Sequence, residues 1–240
     1  VKKFYSVSKY PGTQGQYFYN SLFKLTSFDA SYTPLKVDEH EFENTINRLK
    51  LDDACGFSVS MPYKQTILNY LNYKSSDTIY YNSCNTVLII NKELYGYNTD
   101  LHGVIQTVSK IKPFDQILIL GNGSMGKMFY KYMKSIGYTN LKLVSRSLNN
   151  WEDRHSACDV LINSTSLGTV NTDSPLEHLN KQTKLVIDLA VKPNDLTKQS
   201  SNIEYVSGAD FYKHQFFKQY LIYTGNSVDQ DEYELIATQR

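Results

Sequence analysis

Cysteine is scarce. Cys55, Cys84 and Cys158 are the only three in 240 residues, far apart and without a C-x-x-C pair. That spacing excludes a disulfide framework and offers no zinc site, so each reads as a small buried hydrophobe. No apolar stretch approaches the ~18 residues of a membrane span, and the opening residues lack a signal-peptide pattern. Neither sign of charge prevails: 25 Lys and Arg stand against 24 Asp and Glu, with no run of five like charges. A broad electrostatic grip on nucleic acid or a membrane surface is therefore not expected. His102, His155 and His214 lack ligand spacing and read as surface or capping histidines, not a metal site. Repeats and low-complexity tracts are missing too. What remains is a reduced, soluble, cytoplasmic chain, expected as a monomer or homodimer.

Apolar periodicity, by contrast, is plentiful. A hydrophobic share of 41% supports cores for one large domain or two small ones. Residues 3–7, 30–33 and 56–60 read as strands, and 16–28 and 39–50 as amphipathic helices, the second capped by Asp38. Phe18, Leu22, Phe23 and Leu25 recur at helical spacing, as do Phe42, Ile46 and Leu49. After Met61-Pro62 a further helix is expected through Ile67, Leu68 and Leu71. Residues 86–90 and 93–97 flank Asn91-Lys92 and read as a tight hairpin. Beyond Pro113 the pattern changes. Residues 116–120 are a near-continuous apolar run, the mark of a strand covered on both faces. Helices are expected over 125–136, 209–223 and 231–237, and strands over 141–144, 159–163, 184–188 and 203–206. Strands separated by helices imply a parallel, doubly wound sheet. The expected class is α/β in two domains meeting near residues 100–112, the last helices returning to the first.

Gly121-Asn-Gly-Ser-Met-Gly126 is G-x-G-x-x-G between an apolar strand and a helix. The first glycine permits a tight turn, the second a close backbone approach to a pyrophosphate, the third the packing of helix on strand. The helix start then offers N–H groups and partial positive charge to phosphates. The second domain thus reads as Rossmann-type, with Gly121, Asn122, Gly123, Ser124, Met125 and Gly126 as cofactor-binding candidates. The end of the next strand selects the dinucleotide. An NAD site usually has Asp or Glu there; here Ser145-Arg146-Ser147 follows without a carboxylate. Arg146 suits a 2′-phosphate and can stack on adenine, while Ser145 and Ser147 can donate to phosphate oxygens. The plainer alternative is a surface arginine in a turn. NADP is expected, and an S-adenosylmethionine methyltransferase, which wants a ribose carboxylate, is disfavoured.

Two polar clusters of the first domain stand at the ends of β-type segments. One is Ser58-Val-Ser-Met-Pro-Tyr-Lys64; the other joins Asn82-Ser-Cys-Asn-Thr86 to Gly96-Tyr-Asn-Thr-Asp100. Reducing a ketone requires a group that protonates the developing alkoxide. A lysine ammonium suits that task, and a nearby carboxylate can aim it. By spacing alone, Lys64 is more often a solvated lysine at a helix start, and Asp100 more often a helix cap. Spacing leaves the pair open.

Here the chain resembles the shikimate dehydrogenase family, across nearly its whole length. Gly56-Phe-Ser-Val-Ser-Met-Pro-Tyr-Lys64 is similar to the family's G-x-N-V-T-x-P-[FY]-K, whose lysine is catalytic. Asn85-Thr86 resembles A-x-N-T, and Gly96-Tyr-Asn-Thr-Asp100 resembles G-x-N-T-D, whose aspartate partners that lysine. Asn163-Ser-Thr-Ser-Leu-Gly168 is similar to N-x-T-x-x-G, Asp188-Leu-Ala-Val-Lys-Pro193 to D-x-x-Y-x-P, and Ser145-Arg146-Ser147 to N-R-T, which reads NADP. Gly208 and Gln215, with Thr224-Gly225, match a C-terminal G-x6-Q…T-G element. The resemblance implies a substrate-binding catalytic domain over 1–101, a Rossmann-type NADP-binding domain over 102–208, and helices over 209–240 returning to the first. It implies Lys64 and Asp100 as the catalytic pair, and Thr13, Ser60, Asn85 and Gln215 as substrate contacts. Thr165, Leu189 and Gly208 join the cofactor contacts. The implied reaction is NADP-dependent, reversible reduction of 3-dehydroshikimate to shikimate, in the chorismate pathway of aromatic amino acid biosynthesis.

Departures from the pattern gather where the family holds the substrate carboxylate. Its H-S-x-S-P serines fall on Thr13 and Gly15, and its D-x-x-Y-x-P tyrosine falls on Val191, so two hydroxyls are lost. Ser58 and Ser60 stand in place of Asn and Thr. A paralogue acting on a quinate-like or amino-substituted ring is the alternative enzyme, and a non-catalytic NADP-binding protein the alternative class. Retention of both Lys64 and Asp100 argues against the latter.

Overall fold

A computed structural model describes residues 1–168 and 173–229; the helix expected over 231–237 lies outside them. The described residues form two compact units, one of Val1–Thr99 with the segment from Gln215 to Asp229, the other within Asp100–His214. Among the described residues no helix is long and apolar enough to cross a membrane.

In the first unit β1 (Lys2–Ser8) leads through α1 (Gln14–Leu25), β2 (Ala30–Lys36) and α2 (Phe42–Leu51) to β3 (Gly56–Val59). Then come β4 (Tyr73–Lys74), α3 (Ser76–Tyr81), β5 (Thr86–Ile90) and β6 (Glu93–Tyr97). They form a sheet of order β2-β1-β3-β5-β6-β4, parallel among β1, β2 and β3, antiparallel from β3 to β5 and β5 to β6. The period of two along a strand splits the core: Phe4 packs with Phe18, Leu22 and Phe23 of α1, while Val7 packs with Phe42, Ile46 and Leu49 of α2. Leu25 falls off the stripe and is exposed. The β5–β6 hairpin turns at Asn91 and Lys92, with φ of 52° and 64°, as a two-residue type I′ turn requires.

Two local expectations are corrected. Asp38 makes no side-chain cap bond; it precedes one 3-10 turn, Glu39–Glu41, and the α-helix starts only at Phe42. The helix expected through Leu71 is a short 3-10 helix, Thr66–Asn69. The reason is a competing partner. Asn72 exchanges bonds with Leu94, accepting its N–H at 2.8 Å and donating its own to the carbonyl at 3.0 Å, which draws the chain into edge strand β4.

The second unit runs α4 (Asp100–Val108), β7 (Ile117–Leu120), α5 (Ser124–Ser135), β8 (Leu141–Val144), β9 (Val160–Asn163), β10 (Leu185–Asp188), α6 (Asp195–Gln199) and β11 (Glu204–Val206). It ends in α7 (Gly208–Thr224), which continues into the first unit at Gln215. The sheet is parallel, in order β11-β10-β9-β7-β8. All residues of β7, β9 and β10 are buried, as a sheet covered on both faces demands. Strand order reverses at β7, flanked by β8 and β9, and such a switch point is where open α/β sheets take ligands.

Candidate functional site

In the first unit the end of β3 lies beside the start of β5. Val59 N donates to Asn85 O at 2.9 Å, and Cys84 N donates to Lys64 O at 2.9 Å. Ser60 is pinned by its N–H to Val7 O and accepts from Tyr63 N. These main-chain bonds bring Ser60, Lys64 and Asn85 to one end of the sheet. Asn85 is buried: its Oδ1 accepts from Thr99 N at 2.8 Å and Thr86 Oγ1 at 3.0 Å, and its Nδ2 donates to Thr99 Oγ1 at 2.9 Å. Gln215, on α7, joins the group by donating Nε2 to Thr99 Oγ1 at 3.2 Å. Lys64 is half-buried.

Thr13 stands apart from this hydrogen-bonded group. It precedes α1, is exposed and makes no side-chain cap bond. Gly15 sits in the first turn of α1; a Cβ there would meet Tyr32 Cε1 at 3.4 Å and its hydroxyl oxygen at 3.6 Å. Tyr32 is buried and bonded to the Ser58 hydroxyl, and burial pushes its pKa up to about 12. Asp100 belongs to the second unit, where it is buried in the first turn of α4.

The second unit builds its turn from absent side chains. Gly121 has φ +104°, and a Cβ there would lie 2.8 Å from Ser164 Oγ, which itself donates to Leu120 O. At Gly126 a Cβ would stand 1.8 Å from Gly121 O, so only glycine lets helix and turn close. At Gly123 nothing lies within 4 Å of a Cβ, and no side chain caps the α5 start that Ser124 and Met125 open. An open, uncapped helix start at the switch point fits the diphosphate of a dinucleotide. Asn122 Nδ2 ties the turn to Ser147 Oγ at 3.3 Å, and the hydroxyls of Ser145 and Ser147 are 2.9 Å apart. Arg146 is exposed, its guanidinium 5.5 Å from the Trp151 ring. Thr165 Oγ1 donates to Asn163 Oδ1 at 2.7 Å, and Leu189 N donates to Asn163 O. Gly208 packs directly on Leu189, whose carbonyl would be 2.4 Å from a Cβ there.

Gln219 escaped the sequence reading of the site, and Asp188 entered it only as the first residue of the D-x-x-Y-x-P match, without a role. Asp188 is fully buried and accepts from Asn163 Nδ2, Ala190 N, Asn194 Nδ2 and the Tyr205 hydroxyl, at 2.8–3.1 Å. It clamps the loops after β9 and β10. Gln219 lies one helical turn beyond Gln215, and that i, i+4 spacing was its only signal. A cavity of about 410 Å³ beside Cys158 and Thr183, near the starts of β9 and β10, holds none of the candidate residues.

The family profile described as shikimate dehydrogenase substrate binding domain matches residues 14–87. The shikimate dehydrogenase (NADP(+)) of Clostridium beijerinckii is 29% identical over 197 residues, covering 74% of this chain and 73% of that protein. The enzyme of the same name from Pyrococcus furiosus is 28% identical over 243 residues, covering 91% and 88%. Among solved structures, shikimate 5-dehydrogenase from Thermus thermophilus, in complex with NADP(H) and shikimate, has a TM-score of 0.83. It is 18% identical, with 99% and 98% of the two chains covered, and shows the shared fold.

Proposed function

We propose that this chain is a member of the shikimate dehydrogenase family, whose substrate-binding-domain profile matches residues 14–87, and that it catalyses the NADP-dependent, reversible reduction of 3-dehydroshikimate to shikimate. The observation that carries this reading is the gathering of Ser60, Lys64, Asn85 and Gln215 at one end of the first sheet by the bonds of Val59, Cys84 and Thr99. The first unit is the substrate domain and the second the NADP domain.

Lys64 acts as general acid: its ammonium protonates the carbonyl oxygen as it becomes an alkoxide, and its neutral amine takes the proton back in oxidation. Asp100 takes the role of the family's aspartate, which orients the lysine. Ser60, Asn85, Gln215 and Thr13 hold the substrate. NADPH, when bound, supplies the hydride to the ketone carbon. The turn Gly121-Asn122-Gly123-Ser124-Met125-Gly126 would hold its diphosphate, and Ser145, Arg146 and Ser147 its 2′-phosphate. Thr165, Leu189 and Gly208 would line the rest. The three cysteines are thiols, none in a disulfide, which suits a reducing cytoplasm.

The test is NADP reduction, followed by nicotinamide absorbance, over shikimate, quinate and an amino-substituted ring. Shikimate is expected to give the highest kcat/KM. NADP binding with no turnover of any ring would favour the non-catalytic alternative.

A second reading, a quinate-like substrate, is favoured by one feature: Gly15 presents no hydroxyl beside Tyr32. Quinate exceeding shikimate in kcat/KM would establish it.

A further inference from the structure

Gln219 lies fully buried under the substrate residues, and all four hydrogen-bonding positions of its amide are used. Its Nε2 donates to Thr86 Oγ1 at 2.6 Å and to Asn85 O at 3.2 Å. Its Oε1 accepts from the Tyr19 hydroxyl and from Gln215 Nε2, the latter at 3.3 Å. Chemistry fixes which end is which. A peptide carbonyl such as Asn85 O only accepts, so Gln219 must turn its Nε2 toward it. Its Oε1 then faces Gln215 and can only accept, which obliges Gln215 to turn its own Nε2 inward. The other Nε2 proton of Gln215 goes to Thr99 Oγ1 at 3.2 Å. Both donors of Gln215 are thereby spent, while its Oε1 has no partner among the described residues.

We propose that Gln219 is a positioning residue that fixes the polarity of the Gln215 amide, so that Gln215 offers its ligand a carbonyl acceptor and never a donor. This rests on Gln215 being a substrate contact, as read above. The substrate group opposite it must then be a hydroxyl that donates. A substituent that only accepts, such as fluorine or an ether oxygen, would face a second acceptor and be rejected. Gln219 thus sets specificity without touching the substrate.

Two measurements test this separately. Side-chain amide exchange in 15N-labelled protein needs no substrate. The Gln215 and Gln219 NH2 resonances, identified by their loss in Gln215→Met and Gln219→Met, are expected to exchange at least about tenfold more slowly than exposed glutamines. Exposed-type exchange of the Gln215 protons in the unaltered protein would overturn the proposal. The second measurement uses shikimate analogues in which each ring hydroxyl in turn is replaced by fluorine. One analogue should show KM raised about tenfold or more, the worth of one unpaired polar contact. That penalty should shrink in Gln219→Met, where the Gln215 amide is free to turn over. It should persist in Tyr19→Phe, which keeps both Nε2 anchors of Gln219. A merely structural role would lower Tm in Gln219→Met and leave the fluorine penalty unchanged, refuting the assignment. Slow Gln215 exchange in a protein that does not turn over shikimate would uphold the amide polarity and refute the substrate.

Discussion

The two candidate sites are made in opposite ways. In the first unit, buried side chains are bonded to one another: Asn85, Thr86, Thr99, Gln215 and Gln219 form a connected set of amides and hydroxyls. In the second, the turn after β7 is made of backbone, shaped by side chains that glycine lacks at Gly121, Gly123 and Gly126. The difference teaches where a substitution should register. Trimming a side chain in the first site changes chemistry or specificity while the sheet survives. Adding one in the second changes the fold of the turn or blocks what it holds.

The largest expected effect tests the first half of that contrast. Lys64→Ala should lower kcat by ~10²–10⁴-fold, the usual cost of losing a positioned general acid. NADPH affinity should barely move, because the candidate nucleotide turn is shaped by the second unit's own backbone. Steady-state kinetics with nucleotide titration decides it. Near-normal turnover of shikimate by the variant would remove Lys64 from the mechanism.

The next effect tests the second half. A methyl group at Gly126 would stand 1.8 Å from a backbone carbonyl, so Gly126→Ala forces the turn apart at a cost of about 3 kcal/mol. At Gly123 nothing is within 4 Å, so Gly123→Ala should leave stability within ~0.5 kcal/mol yet weaken NADPH by filling the space a phosphate would use. Paired denaturation and binding curves separate the two. Equal loss of Tm in both variants would break the contrast.

The sites also differ in how much the sequence disclosed. The strands β7, β9 and β10 announce themselves as apolar runs, because a strand covered on both faces must be apolar throughout. The Gly121–Gly126 turn is equally plain, since its shape is written in residue type. Buried polar hubs leave no such trace. Gln219 and Asp188 are polar, hence surface-like in any hydropathy pattern, and only their partners across the fold explain their burial. Likewise β4 is a two-residue, exposed edge strand, and it exists because of Asn72 and Leu94 rather than any periodicity of its own. Gly15 was readable as a lost hydroxyl, but not the Tyr32 ring that faces it.

A smaller effect distinguishes recognition by side chain from recognition by backbone within the second unit itself. Arg146 is exposed and stacks near Trp151, so its removal should cost little stability. Arg146→Ala should raise Kd for NADPH by ~tenfold or more, through one charge-assisted phosphate contact. Kd for NADH, which lacks the 2′-phosphate, should not change. Parallel losses for both nucleotides would show that Arg146 does not read the phosphate.

The smallest effect at neutral pH belongs to Tyr32, and it becomes visible only in alkali. Its phenol is buried, and burial lifts its pKa from 10.0 to about 12. The unfolded chain therefore loses this proton from pH 10 upward, while the folded chain holds it until about pH 12. Below pH 10 both states are protonated and the stabilisation is fully present; it is lost as pH rises through the folded value. At ~1.4 kcal/mol per unit, this one group removes roughly 2–3 kcal/mol of stability between pH 10 and 12. Tyr32→Phe has no proton to lose there. It should be less stable by ~1 kcal/mol near pH 7, for want of the bond to Ser58, but should decline less steeply in alkali. Denaturant midpoints measured from about pH 7 to about pH 11.5 test this: the gap between the two proteins should close and then reverse. Curves that stay parallel to the alkaline end would mean that the Tyr32 hydroxyl titrates as if it met water. The buried, bonded side chains that set the first unit apart from the open turn of the second would then not include Tyr32.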